Sequence, residues 1–302
     1  MPLTDLRITG EIWMPSNKDL HRALFIPAPP KCASRTLVAL LKNQLEASVV
    51  RHKTASGHGH LVLNVPHFKL HERWIQKIHL QPKQKRTLIY GHYPASEHNI
   101  NQLKRRYIAA AVIIPVRPLG SLLCSLIHHT RCNKYGPLDP RSPGLIDGIP
   151  DLHLRSESEL FHLLGIIYIP QIYLLIRSWV EASKENNIPL IFVPFESITS
   201  AQSALVSKIN SLLPKDYQSF MHSHEKVDDV KVNMSTTRKI KLCDIEPSQR
   251  QSINALATKL LGCDDKLGPI LRYLLSDLDL RKPNCDPPLA WSFDEQLPNL
   301  TH

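Results

Sequence analysis

The stretch from Leu24 to Leu41, LFIPAPPKCASRTLVALL, constrains the fold more than any other part of the chain. The apolar run Ala23 to Ile26 is short and is followed by prolines, as a buried parallel strand is where it leaves its sheet. From Thr36 onward leucines recur at helical spacing, and Ser34 and Thr36 are short hydroxyl residues of the kind that cap a helix start. The stretch therefore predicts a strand, a tight basic loop and a helix in succession.

Such a junction favours an anion. The first N–H groups of a helix have no acceptor within the helix, the helix dipole is positive there, and Lys31 adds a mobile charge beside them. The stretch is not the nucleotide-triphosphate loop GxxxxGK[ST], because it contains no glycine and its lysine precedes the hydroxyl residues. Taken alone, the stretch is as compatible with an ordinary strand-to-helix turn that carries a solvated lysine as it is with an anion site. Other segments of the chain must distinguish the two.

Apolar runs and amphipathic segments alternate along the rest of the chain. Strands are predicted at Ala47–Lys53, Thr87–Tyr90, Ala109–Pro115 and Pro189–Pro194, and helices at Arg73–Leu80, after Arg117, and at Glu157–Gly165, Ile172–Lys184, Ala201–Leu213 and Pro247–Leu261. This alternation predicts an α/β fold, a three-layer α/β/α domain with a central, mainly parallel sheet, similar to P-loop NTPases. Residues 1–21 are predicted to form an N-terminal arm, residues 22–281 the domain, and residues 282–302 an irregular C-terminal tail.

Composition limits the partner and the compartment. The formal net charge of +10 favours an anionic ligand without separating a nucleotide from nucleic acid, an acidic glycan or an anionic membrane. The runs Tyr107–Val116 and Ile166–Ile176 contain proline and are shorter than the about 20 residues of a spanning helix, so no transmembrane segment is predicted. The N-terminus lacks the apolar core of a secretory signal and the six cysteines are sparse, which together favour a cytoplasmic chain with reduced thiols. The 16 histidines lack metal-ligand spacing, so no metal is expected.

Three candidate site elements follow successive predicted strands. The first is Lys31 with its neighbours in the loop, the second is His92, and the third is Arg117 with Ser125 eight residues later. Because the carboxyl ends of parallel strands meet at one edge of a sheet, these side chains are expected to converge there. Singly, His92 is an ordinary turn histidine and Ser125 an ordinary helix-surface serine, but their convergence favours a site.

With these residues in place, the chain resembles the sulfotransferases that use 3′-phosphoadenosine 5′-phosphosulfate (PAPS). PKCASRTL is similar to the family's 5′-phosphosulfate loop, IYGHYP to the segment with the catalytic histidine, and VRPLGSLLCSL to the 3′-phosphate motif. WVEASKENNIPLIFVPFESI resembles the region that ends in a structural glutamate, here Glu196. A late basic pair, Arg238-Lys239, stands for the family's RKG-type segment, and the resemblance covers about residues 22 to 275.

The resemblance implies catalytic roles for Lys31 and His92. The residues implied to hold PAPS, or its product 3′-phosphoadenosine 5′-phosphate (PAP), are Lys31, Cys32, Ala33, Ser34, Arg35, Thr36, Arg117, Ser125, Arg238 and Lys239. The chain departs from the family pattern at three further positions, where Ala33 replaces a glycine, Pro118 comes one place early, and Ser121 replaces an aspartate.

The implied activity is sulfuryl transfer from PAPS to an acceptor hydroxyl, on a carbohydrate or glycolipid, with no nucleic acid as partner. The residues suit this chemistry, because Lys31 can stabilise charge on the leaving oxygen and His92 can accept the proton of the acceptor. Two alternatives stay open: a nucleotide or metabolite kinase with a degenerate phosphate loop, which needs magnesium, and a non-catalytic protein that binds polyanions or nucleic acid. The segment Cys132–Asp151, rich in proline and glycine, is predicted to be a mobile lid.

Overall fold

A parallel sheet with helices packed on both faces emerges from the computed structural model, which describes residues 21–45, 48–51, 86–104, 107–131, 154–215, 240–261, 267–278 and 290–292. The strands in these ranges are β1 (His21–Pro27), β2 (Ser48–Arg51), β3 (Arg86–Gly91), β4 (Tyr107–Val116), β5 (Leu190–Pro194) and β6 (Trp291–Ser292). The helices are α1 (Ser34–Leu45), α2 (Glu97–Lys104), α3 (Leu119–Arg131), α4 (Glu157–Glu185), α5 (Phe195–Ser200), α6 (Gln202–Leu212), α7 (Pro247–Leu261) and α8 (Gly268–Leu275), with a 3-10 turn at Leu242–Asp244.

The strands of the sheet lie in the order β2-β3-β1-β4-β5-β6. All neighbouring pairs are parallel except β5 with β6, where Ile191 lies opposite Ser292. The predicted α/β class with a mainly parallel central sheet is therefore confirmed. β6 lies within residues 282–302, the segment predicted to be an irregular tail, and adds a two-residue antiparallel edge.

Alternation along the strands creates two apolar cores, one on each face of the sheet. In β1, Phe25 joins one core, whereas Leu24 and Ile26 join the other. Val112 and Ile113 of β4 divide in the same way. Residues of α2, α3, α4, α7 and α8 complete the first core, and residues of α1, α5 and α6 complete the second. Burial on both faces explains why the strands read as continuous apolar runs.

Helix α4 differs most from the prediction. Two helices were predicted, at Glu157–Gly165 and Ile172–Lys184, but the chain forms one helix of 29 residues that passes through Pro170. A proline inside a helix costs about 3 kcal/mol or more. Residues on both sides of Pro170, including Leu164 and Trp179, are fully buried in the same core, so their packing outweighs that cost.

Three shorter helices, α2, α5 and α8, were not predicted. They have eight, six and eight residues, which is too short for a hydrophobic period to be read from sequence. Glu97 and His98, shortly after His92, belong to the first turn of α2. Other predictions fall outside the described residues, namely the arm before residue 21, the helix Arg73–Leu80 and the lid segment Cys132–Asp151.

Among the described helices, α4 alone is long and apolar enough to cross a membrane by length and composition. The run Ile166–Ile176, judged too short to span when taken by itself, is therefore part of a longer apolar helix. Half of its most apolar window is buried inside the protein, which is also the property of a core helix. Within the described fold, α4 packs against β4, α3 and α7.

Gly165 permits the close approach of α4 and α7. A Cβ atom at this position would lie 2.3 Å from Cδ1 and 3.0 Å from Cγ1 of Ile253. We expect G165A to lower the free energy of unfolding by up to about 2 kcal/mol, since overpacking typically costs about 1–3 kcal/mol and the gain in helix propensity is about 1 kcal/mol. In an I253V background, which lacks Cδ1, the same change should be neutral or stabilising. Urea unfolding of the four proteins measures this, and an equal loss in both backgrounds would contradict the packing argument.

Candidate active site at the ends of three neighbouring strands

Three of the predicted functional side chains follow neighbouring parallel strands. Lys31 lies on the loop after β1, His92 directly follows β3, and Arg117 directly follows β4, with β1 in the middle of the three strands. The backbone links the first two, because the N–H of Ala28 donates to the carbonyl of Gly91 at 2.8 Å. The structure thus brings Lys31, His92 and Arg117 to one edge of the sheet.

The loop after β1 has an unusual backbone. Lys31 and Ala33 have positive φ angles of 61° and 57°, whereas Cys32 between them is not among the residues with positive φ. Successive residues whose φ alternates in sign can turn their N–H groups into one concavity, the anion-binding arrangement called a nest. The loop has this backbone without a glycine. Ala33 stands at the position where the sulfotransferase loop that it resembles has a glycine.

Helix α1 begins where this loop ends. Its first hydrogen bond runs from the N–H of Leu37 to the carbonyl of Ala33 at 3.0 Å, so Ala33 takes the cap position. Ser34 and Thr36, predicted as capping residues, lie instead in the first turn, where Thr36 is buried. The N–H groups of that turn have no acceptor within the helix and add donors next to the loop.

Positive charge is concentrated around the loop. Lys31 is half-buried, and its pKa is lowered chiefly by burial and further by repulsion from Arg117 and Arg35. Arg35 itself is exposed. A partly desolvated lysine that faces two other cations is stabilised by a bound anion.

Arg117 connects β4 to the loop. Its Nη1 donates to the carbonyl of Lys31 at 3.1 Å, and its guanidinium carbon lies 3.9 Å from the ring centroid of Phe195 at the start of α5. Burial lowers the pKa of Arg117, and negative charge at Glu196 and Asp277 opposes that shift. The Nε of Arg117 is buried and has no hydrogen-bond partner among the described residues. A buried donor without an acceptor is costly, so this atom suits an incoming anion.

His92 is fixed by the same loop. Its Nδ1 lies 2.5 Å from the carbonyl oxygen of Ala28. Because a carbonyl only accepts, Nδ1 carries the hydrogen, and in the neutral ring the lone pair is on Nε2. The ring therefore has the tautomer that a proton acceptor at Nε2 requires.

The other predicted residues are placed in different ways. The thiol of Cys32 is buried, lies 3.6 Å from the carbonyl of Pro30, and has its pKa raised by burial to about 12. Cys32 therefore stays a neutral thiol near pH 7 and can offer a ligand only its backbone. Ser125 is half-buried near the end of the second turn of α3. Arg238 and Lys239 lie outside the described residues.

Asp277 is a residue near the site that sequence reasoning missed. Its two carboxylate oxygens accept from the N–H groups of Gly120 and Ser121 at 2.8 and 2.6 Å, which fixes the start of α3 beside Arg117. Burial raises the pKa of Asp277, and hydrogen bonds from Ser121 and Gly120 oppose the rise. A Cβ at Gly120 would lie 2.9 Å from Cδ2 of Leu242 and 3.0 Å from Oδ1 of Asp277, so a larger residue there would crowd this contact. The contact uses backbone N–H groups far away in the chain, so the sequence contains no signal for it.

A second missed contact supports Arg117 from α5 and α8. Tyr273 of α8 donates a short hydrogen bond to the carboxylate of Glu196, which follows Phe195. Burial, followed by the hydrogen bond to Glu196, raises the pKa of Tyr273, so the phenol stays protonated. Glu196, expected to be structural, thus joins α5 to α8 next to the ring on which Arg117 stacks.

Comparisons with known proteins add little to this geometry. No protein-family model matches the chain, and no curated protein matches it in sequence. Among solved structures, the crystal structure of mouse sulfotransferase SULT7A1 complexed with PAP is similar, with a TM-score of 0.49 and 14% sequence identity over 83% of this chain and 87% of that one.

The positive φ of Ala33 can be tested by substitution. An L-residue in the left-handed region costs roughly 1–2 kcal/mol, and glycine does not have this cost. We expect A33G to raise the free energy of unfolding by about 1 kcal/mol in urea unfolding. The matched control is A39G inside α1, where glycine should lower stability by about 1 kcal/mol through helix propensity. A loss of stability in both variants would show that Ala33 is not strained.

Proposed function

We propose that this chain is a sulfotransferase that moves a sulfuryl group from PAPS to an acceptor hydroxyl. The observation that carries the proposal is the nest at Lys31–Ala33, which Arg117 contacts directly while its buried Nε lacks a partner among the described residues. Backbone donors, a desolvated lysine and an unsatisfied guanidinium N–H at one place favour a ligand with several anionic oxygens. The phosphosulfate and phosphate groups of PAPS have this chemistry.

The donor would be held at two points. The backbone of the loop and Lys31 would bind the 5′-phosphosulfate, with Arg35 and the first turn of α1 beside it. Arg117 and Ser125 would bind the 3′-phosphate, by the resemblance of VRPLGSLLCSL to that motif. The contribution of Arg238 and Lys239 rests on the resemblance alone.

In the proposed reaction the acceptor oxygen attacks sulfur, and the bond from sulfur to the bridging oxygen of the 5′-phosphate breaks. PAP leaves with the electron pair of that bond. Lys31 stabilises the charge that develops on the bridging oxygen, and Nε2 of His92 takes the proton that the acceptor hydroxyl loses. The tautomer set by Ala28 supports this role for His92.

The acceptor is proposed to be a hydroxyl of a carbohydrate or glycolipid, and the location to be the cytoplasm. The acceptor class follows the resemblance of the GHY segment around His92. Incubation of the protein with PAPS and a cell extract, followed by mass spectrometry of sulfated products, identifies the acceptor. Sulfated peptides instead of sulfated glycans would exclude this acceptor class while leaving sulfuryl transfer intact.

Donor binding gives a direct test. We expect PAP to raise the melting temperature, since a ligand at 100 times its Kd stabilises the native state by about 2.7 kcal/mol. K31A and R117A should each weaken PAP by at least tenfold, because each removes a charged partner of a phosphate group. Titration calorimetry or thermal shift measures both effects.

Two controls remove a positive charge elsewhere. K42A changes an exposed lysine in the last turn of α1, and R131A removes an exposed ion pair with Glu157 at 2.9 Å. Both should leave PAP affinity within about twofold, since surface pairs contribute little.

Stabilisation by Mg·ATP but not by PAP would favour the kinase alternative, although the described part of the chain contains no group of three potential metal ligands. Equal PAP affinity in K31A, R117A and the parent would show that the site is elsewhere.

Removal of the base should separate chemistry from binding. H92A should lower turnover by about 10²- to 10⁴-fold, the usual contribution of a general base, with PAP affinity changed much less. Transfer from labelled PAPS to the acceptor fraction of the extract, corrected for folded protein, measures turnover. If turnover per folded molecule stays within a few-fold of the parent, His92 only supports the loop, and Glu97 and His98 in the first turn of α2 become the next candidates.

A further inference from the structure

The segment that follows His92 is held by side chains instead of by regular secondary structure. Residues 92–96 connect β3 to α2 without belonging to a helix or a strand. Backbone N–H and carbonyl groups in such a segment need partners when they are buried. The partners found here come from α4 and α2.

Three consecutive residues after His92 are each bonded through the backbone to a side chain. The indole Nε1 of Trp179 donates to the carbonyl of Tyr93 at 2.9 Å. The side-chain amide of Asn99 donates to the carbonyl of Pro94 at 2.9 Å, and the N–H of Ala95 donates to the hydroxyl of Ser178 at 2.9 Å. We call Asn99, Ser178 and Trp179 the His92 cradle.

The centre of the cradle is rigid. Trp179, Asn99 and Tyr93 have 0% exposure. The rings of Tyr93 and Trp179 meet edge to face with centroids 5.8 Å apart, and the hydroxyl of Tyr93 donates to the carbonyl of Ile89 in β3 at 2.8 Å. Buried side chains that fill the core and satisfy their polar groups have little freedom to move. The chain is therefore fixed immediately after His92.

We propose that Trp179, assisted by Ser178 and Asn99, is a positioning residue that sets the orientation of the His92 ring. The proposal rests on the proposed function, in which His92 is the base. The imidazole is anchored at Nδ1 to Ala28, and the cradle fixes the adjoining backbone, so these contacts together determine where Nε2 points. Trp179 reaches His92 only through the backbone of Tyr93, and small errors in the position of a catalytic group reduce the rate strongly.

The test uses two variants and a control in the full chain. W179F keeps an aromatic ring in the core but removes the indole N–H. S178A is a smaller change, which removes the hydroxyl that accepts from the N–H of Ala95. The control is Q202L, because Gln202 of α6 donates from a buried side chain to the carbonyl of Ile198 at 3.2 Å, on the other face of the sheet. Long-range ¹H–¹⁵N spectra of the histidine rings report the tautomer and titration of His92, whose signals are assigned by their absence in H92A.

We expect W179F to shift His92 away from the pure Nδ1–H tautomer and to lower turnover by about tenfold, with the Kd of PAP within twofold of the parent. S178A should change the His92 tautomer and the turnover in the same direction, but by a smaller factor. Q202L should lower stability without changing the His92 tautomer or the turnover. If W179F fails to fold, S178A decides. An unchanged His92 spectrum in a destabilised variant would overturn the proposal, because the cradle would then only support the fold.

The two proposals fail in different ways. Full turnover in H92A would reject the role of His92 as the base, while the histidine spectra would still decide whether the cradle orients the ring. If H92A loses turnover as expected while W179F and S178A keep the turnover and the histidine spectra of the parent, only the positioning role of the cradle is rejected.

Discussion

The hydrogen bond from Arg117 to the carbonyl of Lys31 is the contact on which the candidate site depends. The loop it holds contains two non-glycine residues with positive φ, each of which costs roughly 1–2 kcal/mol. Such a backbone persists only where its surroundings over-determine it. At its start the loop is fixed by Ala28, which donates to Gly91 and accepts from His92, and further along it is fixed by Arg117. The side chains proposed to bind and react thus also hold the strained loop.

This support requires positive charge to be buried. Burial lowers the pKa of Arg117, and burial together with repulsion from Arg117 and Arg35 lowers the pKa of Lys31. Negative charge at Glu196 and Asp277 opposes this effect of burial on Arg117, and the ring of Phe195 covers one face of its guanidinium. Because Lys31 is partly desolvated and repelled by two cations, an anionic ligand beside it would stabilise its charge.

The sequence alone predicted most of the strands and helices that have a clear hydrophobic run or period. Strands β1, β3, β4 and β5 were predicted close to their observed positions because their residues are largely buried, whereas β6 was not predicted. The helix Pro247–Leu261 was predicted with its observed bounds. The meeting of Lys31, His92 and Arg117 followed from parallel topology, although their roles stay predictions. The long helix α4 was missed because Pro170 interrupts the period, and tertiary packing overrides that signal.

The supporting residues could not be predicted for a different reason. Asp277 binds residues 156 and 157 positions earlier, and Trp179 binds Tyr93 across 86 positions. Such contacts leave no local pattern, and an aspartate after a helix or a tryptophan within one is ordinary.

His92 both contacts the loop through Ala28 and is the base of the proposed reaction. When Nε2 takes a proton, the ring becomes an imidazolium that keeps its hydrogen on Nδ1, so the bond to the Ala28 carbonyl is retained. Hydrogen bonds with an ionised donor are stronger than those between neutral groups. If His92 is the base as proposed, its proton uptake would strengthen the contact that holds the start of the loop while charge develops on the leaving oxygen. A base hydrogen-bonded to solvent instead of to this carbonyl would accept the proton equally well, but its protonation would leave the strained loop without that additional support.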